Sequence, residues 1–591
     1  MQASETSGQP RYYLGLATTF HDPAMALVGP DGAVLFAEAT ERYLQYKRAP
    51  NCEPDPAPRM AGFLAEHLPP DAELVIATTW DGAFSGYLAS SAAAGAFDLT
   101  RIAALSPEIN RSLVPERAER AFIASLHAAQ GRAGLGTLLG LDRAFGGRAA
   151  LADLRRYPHH LTHAALGLWG SPFARATCLV VDGMGETGAS ALYRLRDGRI
   201  EEVRRHAGRE SIGFFFGFVT DLAGFDQTKG EEWKVMGLAP YGRRDPDLLA
   251  LLDRLWRVER GRLRFAGAET ARAVAAELLA RRPSDAPEMG WADLARCGQD
   301  MFCAMVDVLV AEAFALAPDE NLVLTGGCAL NSSYNGGVLA RSGFARLHVP
   351  SAPADDGNAL GAAWLAYSED HPGWAGPGGL LSPYLGTPVD ARPLARIAPH
   401  EPRLRHLGHD GVVEATADLL ASGALVGWMQ GRAEFGPRAL GNRSILADPR
   451  PADAKAVING KVKYREAFRP FAPAILAEAG PAWFLDYQDS PHMERTLAFR
   501  PEVRDRVPAV VHADGTGRLQ SVTAEGNPRF RALIEAFAAR TGVPILLNTS
   551  LNVMGKPIVH TVEDALTLFH TTGLDALAVE DWLITKDPPR P

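Results

Sequence analysis

The chain has 591 residues, more than one ordinary hydrophobic core accommodates, so at least two domains are expected. Apolar residues make up 47% and charged residues 22%, and the formal net charge is −9. This balance excludes a disordered chain and argues against a nucleic-acid partner, which calls for a basic surface. Met1–Pro10 lacks the basic start and apolar run of a secretory signal, and apolar runs such as Cys178–Val181 are strand-sized, so no membrane association is expected. Cys52, Cys178, Cys297, Cys303 and Cys328 are scattered without a CxxC pair, which suits a reducing cytoplasm.

In chain order, Tyr12–Ala17, Ala24–Val28 and Ala33–Ala39 read as three strands, separated by a turn at Thr18–Pro23 and an Asp31–Gly32 hairpin. Helices are expected at Pro58–His67 and Pro115–Ala129, while Leu88–Arg155 offers no chemical motif and is a candidate for acceptor specificity. A second strand–turn–strand unit starts at Ala176: Cys178–Val181, a turn at Asp182–Glu186, Ala189–Arg194, an Asp197–Gly198 turn and Ile200–Arg204. This repeated layout predicts a duplicated α/β domain with two lobes facing a cleft, as in the actin, sugar-kinase and heat-shock ATPase superfamily. Further helices are expected at His160–Trp169, Pro246–Val258, Thr270–Leu279 and Trp291–Leu316. Gly, Pro and Trp crowd Gly373–Gly379, and Pro and Arg crowd Gly386–Pro402, so the boundary is placed to give domains 1–390 and 391–591. The second domain opens with a helix at Val412–Ser422 and a strand at Ala424–Met429.

His159 and His163 lie four residues apart, which on a helix puts both imidazoles on one face, within reach of a single metal. His160 points about 100 degrees away and is the weaker candidate. The alternative is a core helix in which one histidine caps and another is exposed. Asp182, in a glycine-flanked turn after an apolar strand, and Asp355 and Asp356, before Gly357, are candidate carboxylates or simple turn formers. Such a ligand set suits a divalent first-row metal, iron or zinc before magnesium. Gly326, Gly327 and Asn331, after the strand Leu322–Thr325, resemble a phosphate turn, and Lys234 either reaches a phosphate or starts a solvated helix. The densest signal is Glu434-Phe-Gly-Pro-Arg438-Ala-Leu-Gly-Asn-Arg443-Ser444, followed by Lys461, Lys463, Arg465 and Arg469. With Lys463-Tyr-Arg465 on a strand, both cations share one face, suited to a small dianion. Arg518, in Asp514-Gly-Thr-Gly-Arg518, and the polar run Leu547–Asn552 follow.

These stretches, in this order and together with Phe20-His21-Asp22-Pro23-Ala24 and Lys234–Gly242, resemble the nodulation-type and antibiotic-biosynthesis O-carbamoyltransferase family across nearly the whole chain. The resemblance implies a first domain like the actin-fold subunit of tRNA threonylcarbamoyl transfer and a second like threonylcarbamoyl-adenylate synthase. It implies conversion of carbamoyl phosphate and ATP, with Mg2+, into a carbamoyl-adenylate. Transfer to a small-molecule hydroxyl then takes place beside a metal, commonly Fe2+, with Zn2+ as the alternative. Carried over by motif, His159, His163, Asp182 and Asp355 are metal ligands and His21 is the acid/base near the acceptor. Arg438, Arg443, Lys463, Arg465, Arg469 and Arg518 contact phosphate and carbamoyl groups, and Ser550 and Asn552 match a Ser-x-Asn element. Glu41-Arg42-Tyr43 departs from the family pattern and is given no role. A sugar-kinase-like phosphotransferase and a tRNA-modification module are the rival readings. The acceptor's identity is open, and a homodimer is compatible with the sequence.

Overall fold

The structure, a computed structural model, describes residues 9–86, 127–206, 210–281 and 289–586. Most of the expected Pro115–Ala129 helix and much of the Leu88–Arg155 stretch lie outside them. Strands β1 (Arg11–Ala17), β2 (Ala24–Val28) and β3 (Val34–Ala39) form an antiparallel meander, with Asp31–Gly32 in the connection between the last two. Strand β4 (Glu73–Thr79) then adds parallel to β1 and β5 (Ala150–Tyr157) parallel to β4, in the order β3-β2-β1-β4-β5.

The pattern recurs. Strands β6 (Ala176–Val181), β7 (Ser190–Arg196) and β8 (Arg199–His206) form the second meander, and a separate hairpin follows, β9 (Trp256–Glu259) with β10 (Arg262–Phe265). Then β11 (Asn321–Thr325) adds parallel to β6 and β12 (Arg346–His348) parallel to β11, in the order β12-β11-β6-β7-β8. The two sheets therefore have the same strand order, as the repeat in the sequence layout predicts.

Between the sheets lie two helices, His159–Trp169 and the Ala-rich Asn358–Asp370; they share a core with Tyr13, Val28, Cys178 and Val180. A side chain at Gly361 would place its Cβ 2.0 Å from Thr162 O, and one at Gly15 would come 1.7 Å from Ala359 O. Glycine at these positions lets the backbones touch, which brings the start of one helix beside the start of the other.

The C-terminal part is built on a nine-stranded sheet. Its strands are β14 (Leu404–His406), β15 (Val426–Met429), β17 (Arg443–Ala447), β18 (Ala472–Leu476), β19 (Arg495–Ala498), β20 (Thr516–Val522), β21 (Ile545–Ser550), β22 (Ala576–Val579) and β23 (Trp582–Thr585). The apolar stripes of Gly408–Ala421, Pro528–Thr541 and Val562–Thr571 pack on it through Val412, Leu420, Phe530, Phe537 and Phe569. Strand β13 (Tyr384–Pro388) pairs with β16 (Arg432–Glu434), so the chain on either side of residue 390 is joined by a strand pair. Among the described residues, no helix is long and apolar enough to cross a membrane.

Two local expectations are corrected. The helix expected over Pro246–Val258 ends at Asp253, and the following residues form the β9–β10 hairpin. Arg260 and Gly261 both take positive φ there, at 52° and 74°, the twist a two-residue hairpin loop requires. Lys463-Tyr-Arg465 is not a strand: a wide turn of helix spans Asn459–Lys463 and Tyr464 is left-handed, so local backbone turning, rather than the strand period of two, sets where the two cations point.

Candidate functional site

The His159–Trp169 helix starts directly after Pro158, and the N–H of His159 donates to Glu186 Oε1 at 2.8 Å, placing a carboxylate at the positive end of the helix. Thr79 Oγ1 lies 3.1 Å from His159 Nδ1, and Trp80 stacks on the imidazole with centroids 4.3 Å apart. Held from that side, the ring turns Nε2 inward, 3.0 Å from Asp182 Oδ2 and 3.6 Å from Asp355 Oδ1. One helical turn on, His163 Nε2 sits 3.7 Å and 3.5 Å from the same two oxygens. Ligand atoms of His159, His163, Asp182 and Asp355 all lie within 4.8 Å of one another, and all four residues are buried or nearly so.

Electrostatics bind the cluster together. Burial disfavours charge on every member, yet the two imidazoles hold the Asp182 and Asp355 carboxyls well below the usual range. In return the carboxylates outweigh burial at His159 and push it up to about 10. His160, on the other side of the helix, has no such partner; burial and the charge of His159 push it down to about 3. It packs against Gly185, where a Cβ would come 2.6 Å from the ring.

The glycine turn serves this centre. Gly326 takes φ of +87° and its N–H donates to Pro353 O, while Gly327 N–H donates to Asp182 Oδ1 at 3.0 Å. Asn331 caps the Ser332–Arg341 helix and pairs with Gln299. In this structure both glycine amides and the Asn331 amide are thus committed within the protein, instead of facing an open phosphate cradle. His21 lies at the rim of the centre, with Nδ1 2.9 Å from Asp22 Oδ2 and 3.9 Å from Asp355 Oδ2.

In the C-terminal part, buried Glu434 organises the long motif: its Oε1 accepts the N–H groups of Leu440, Asn442 and Arg443 at 2.7, 2.9 and 3.1 Å. Arg438 projects from this loop toward the glycine turn, with Nη2 3.4 Å from Leu330 O. Lys463 Nζ donates to Asn552 Oδ1 at 2.7 Å, to Asn552 O at 2.9 Å and to Ser550 Oγ at 3.2 Å, so these three expected residues form one unit. Arg465 stacks on Phe471 and Arg469 on Trp233, a residue of the N-terminal part. Burial, with repulsion from Arg438, Arg465 and Arg469, presses Arg518 well below its ordinary range, and burial with Arg465 and Arg469 does the same to Lys463. Burial also pushes Arg438 and Arg469 down to about 10, and with the charge of Arg469 pushes Arg465 to about 9. Among the described residues, the carboxylate ion-paired with any of these five is Glu466, which also holds Lys234 at 2.8 Å.

Two expectations change. Arg443 does not join the cations: its guanidinium is fully buried and donates to the carbonyls of Gln430, Asn442, Thr387 and Gly431 at 2.7–3.2 Å. Its strand neighbours face the core, so the fork clamps backbone instead of substrate. Lys234, left open between a phosphate contact and a solvated helix start, is neither; it bridges Glu231 and Glu466 and ties the two parts of the chain. Reading the sequence also missed Thr79, Trp80, Glu186 and Asn358, whose Nδ2 is 3.2 Å from His163 Nε2. Asn358 was within reach, one turn after Asp355 in Asp-Asp-Gly-Asn, but Thr79 stands 80 positions from His159 and no local pattern links them.

The family models that match describe both parts: the carboxyl-terminal model of carbamoyltransferases matches residues 417–586 and the amino-terminal one residues 12–364. An uncharacterized protein of Synechocystis is 31% identical over 97% of this chain and 97% of its own length. Nodulation protein NolNO of Sinorhizobium fredii is 36% identical over 76% of this chain and 66% of its own. The 3'-hydroxymethylcephem-O-carbamoyltransferase of Amycolatopsis lactamdurans is 36% identical over 44% of this chain and 48% of its own. With a buried His–Asp centre and a group of buried cations set in a chain matched along most of its length, this protein belongs to the carbamoyltransferase family of enzymes.

Proposed function

We propose that the protein activates carbamoyl phosphate with ATP at the Arg438–Arg518 pocket and transfers the carbamoyl group to a hydroxyl of a small natural product at the His–Asp centre. The observation that carries the first half is the group of five half-buried or buried cations for which Glu466 is, among the described residues, the paired carboxylate. Such a group is unfavourable alone and becomes favourable around a polyanion. For atoms to balance, water releases inorganic phosphate from carbamoyl phosphate and leaves carbamate. A carbamate oxygen then attacks the α-phosphorus of ATP and pyrophosphate departs with its Mg2+. The resulting carbamoyl-adenylate is a mixed anhydride with AMP as a good leaving group. Arg438, Lys463, Arg465, Arg469 and Arg518 offset the negative charge that builds on the phosphate, and Ser550 and Asn552 position Lys463.

In the second half, His21 accepts the proton of the acceptor hydroxyl as its oxygen attacks the carbamoyl carbon and AMP leaves. The repeated strand order supports reading residues 1–390 as an actin/sugar-kinase-like transfer domain, with activation in residues 391–591. The His–Asp centre fits a metal: it offers two imidazole and two carboxylate donors, buried and with ligand atoms all within 4.8 Å of one another. His159, His163, Asp182 and Asp355 would hold a divalent first-row ion, iron or zinc, which when bound polarises a carbonyl or phosphate oxygen. Because the anhydride hydrolyses readily, an internal passage between the sites follows from this scheme, and Arg438 beside Leu330 stands where the two parts meet.

The test incubates metal-loaded protein with ATP and carbamoyl phosphate and follows pyrophosphate release and carbamoyl-adenylate by mass spectrometry. A panel of alcohols is then added, a hydroxymethylcephem among them because a relative is named for that acceptor. Pyrophosphate release that depends on carbamoyl phosphate supports the reading; its absence with folded, metal-loaded protein overturns it.

A further inference from the structure

The segment Glu41–Asn51 carries an unusual load of backbone strain. Gln45, Arg48, Ala49 and Asn51 all have positive φ, at 51°, 58°, 41° and 62°, and none is glycine. Left-handed conformations of this kind persist where the surroundings over-determine them, and they concentrate at functional sites. Here two different surroundings do so.

On one side the segment is locked to the His21 turn. Asp22 N–H donates to Arg48 O at 2.7 Å and Asn51 N–H to Phe20 O at 3.1 Å. Arg48 Nε and Nη2 each reach Asp22 Oδ2 at 3.1 Å, the same oxygen that lies 2.9 Å from His21 Nδ1. Asp22 is itself left-handed, with φ of 56°. The Arg48 guanidinium is also fitted from behind, since a Cβ on Gly230 would come 2.4 Å from Nη1.

On the other side the same segment is anchored to the C-terminal part. Arg42, 2% exposed, donates through Nη2 to Gly436 O at 2.8 Å, two residues before Arg438. Gln45 Nε2 donates to Ile558 O at 3.0 Å and to Arg42 O at 2.9 Å. Buried Glu41 joins the two ends, taking the N–H of Arg48 at 2.7 Å and lying 3.9 Å from Arg42 Nε.

We propose that Glu41–Asn51 is a positioning strap: Arg48, through Asp22, sets the His21 ring, and Arg42 and Gln45 transmit to it the order that an anion imposes on the Arg438 loop. The proposal rests on the reading of the Arg438–Arg518 pocket as a nucleotide and carbamoyl phosphate site. Its consequence is timing, because the acid/base of the transfer step is set in place when the activated donor is made. Neither Arg42 nor Arg48 touches the reacting atoms; both act through other groups.

Amide hydrogen exchange read by mass spectrometry on the full-length protein tests this, with ATP whose α,β-bridge is methylene and carbamoyl phosphate as the probes. Expected in the unmodified protein is slower exchange in 434–444, and with it about tenfold slower exchange in peptides spanning 18–24 and 41–51. Arg42→Met and, as a milder change at a half-buried residue, Gln45→Ala should keep protection of 434–444 and lose it at 18–24. Arg48→Met should raise exchange at 18–24 with or without the probes, and Arg48→Lys, which restores a cation beside Asp22, should bring it back toward the original rate. Protection confined to 434–444 in the unmodified protein, or unchanged at 18–24 in Gln45→Ala and Arg42→Met, overturns the strap. Absence of protection at 434–444 itself overturns the pocket reading, and the strap with it.

Discussion

Two arginines expected to contact the same anion, Arg443 and Arg518, have opposite physical roles, and stability and activity separate them. Arg443 is buried among four backbone carbonyls, so Arg443→Met leaves those acceptors without a donor in the core. A cost of about 3–5 kcal/mol is expected, seen as a lowered thermal unfolding transition. Arg518 instead faces Arg438, Arg465 and Arg469, and repulsion within that group works against folding. Arg518→Gln should therefore leave the melting temperature unchanged or raised, while carbamoyl-phosphate-dependent pyrophosphate release falls by about a hundredfold. A melting temperature that fell in both variants, by calorimetry, would remove the distinction. Residue types and their crowding were legible in the sequence; which guanidinium turns inward was not. That depends on β17 lying between nearby β15 and β21, and β21 is about a hundred positions further along the chain.

At the scale of elements, the His–Asp centre depends on the contact of two helices and one glycine turn. The i, i+4 spacing of His159 and His163 sufficed to place both rings on one helix face. The carboxylates come from elsewhere: Asp182 follows β6, and Asp355 leads into the helix that touches Thr162 through Gly361. Gly361→Val would force the Asn358–Asp370 helix away from the histidine helix, because even a Cβ there would sit 2.0 Å from Thr162 O. The expected result is a folded but destabilised protein that retains well under half the metal of the unmodified chain, by elemental analysis after desalting. Gly373→Ala, with nothing within 4 Å of its Cβ, serves as the comparison and should keep its metal, at the cost of a strained φ of 100°. Equal metal content in the two would show that the helix contact does not hold the centre together. The Lys463–Arg465 misreading belongs to this scale as well, since alternation of cations with an aromatic looks like a strand until the wide turn at Asn459–Lys463 is seen.

Across the whole molecule, the two parts are held by buried polar contacts as well as by chain continuity. Glu38, 1% exposed, pairs with Arg59 at 2.7 Å and with His560 Nε2 at 3.2 Å, and accepts the N–H of Thr387 at 2.9 Å. Burial resists ionisation of this carboxyl, but Arg59 and His560 hold it well below the usual carboxylate range. A carboxyl depressed on folding contributes stability above its unfolded value of about 4.3, and that contribution is lost as the pH falls below it. Acidification from pH 7 toward pH 3 should therefore loosen the contact between the parts, read as faster proteolysis around Gly373–Gly379. Glu38→Gln should show that sensitivity already at neutral pH and flatten its dependence on acid. Identical digestion profiles for the two proteins across this range would exclude Glu38 as the acid-labile tie.

The sequence by itself determined what local chemistry can determine. It contained the alternating strands, the repeated strand layout, the histidine pair with its spacing, and a motif rich in arginine and glycine with too few acids to neutralise it. Those features depend on neighbours within a few residues, where backbone period and side-chain type decide the outcome. Only the tertiary structure decided which charges meet. It turned Arg443 inward, joined Lys463 to Ser550 and Asn552, gave Gly327 to Asp182, and made Lys234 and Glu38 links between the two parts. Burial and pairing energies depend on the distance between groups in space, and for these residues that distance is set by sheet order and helix contact, not by position along the chain.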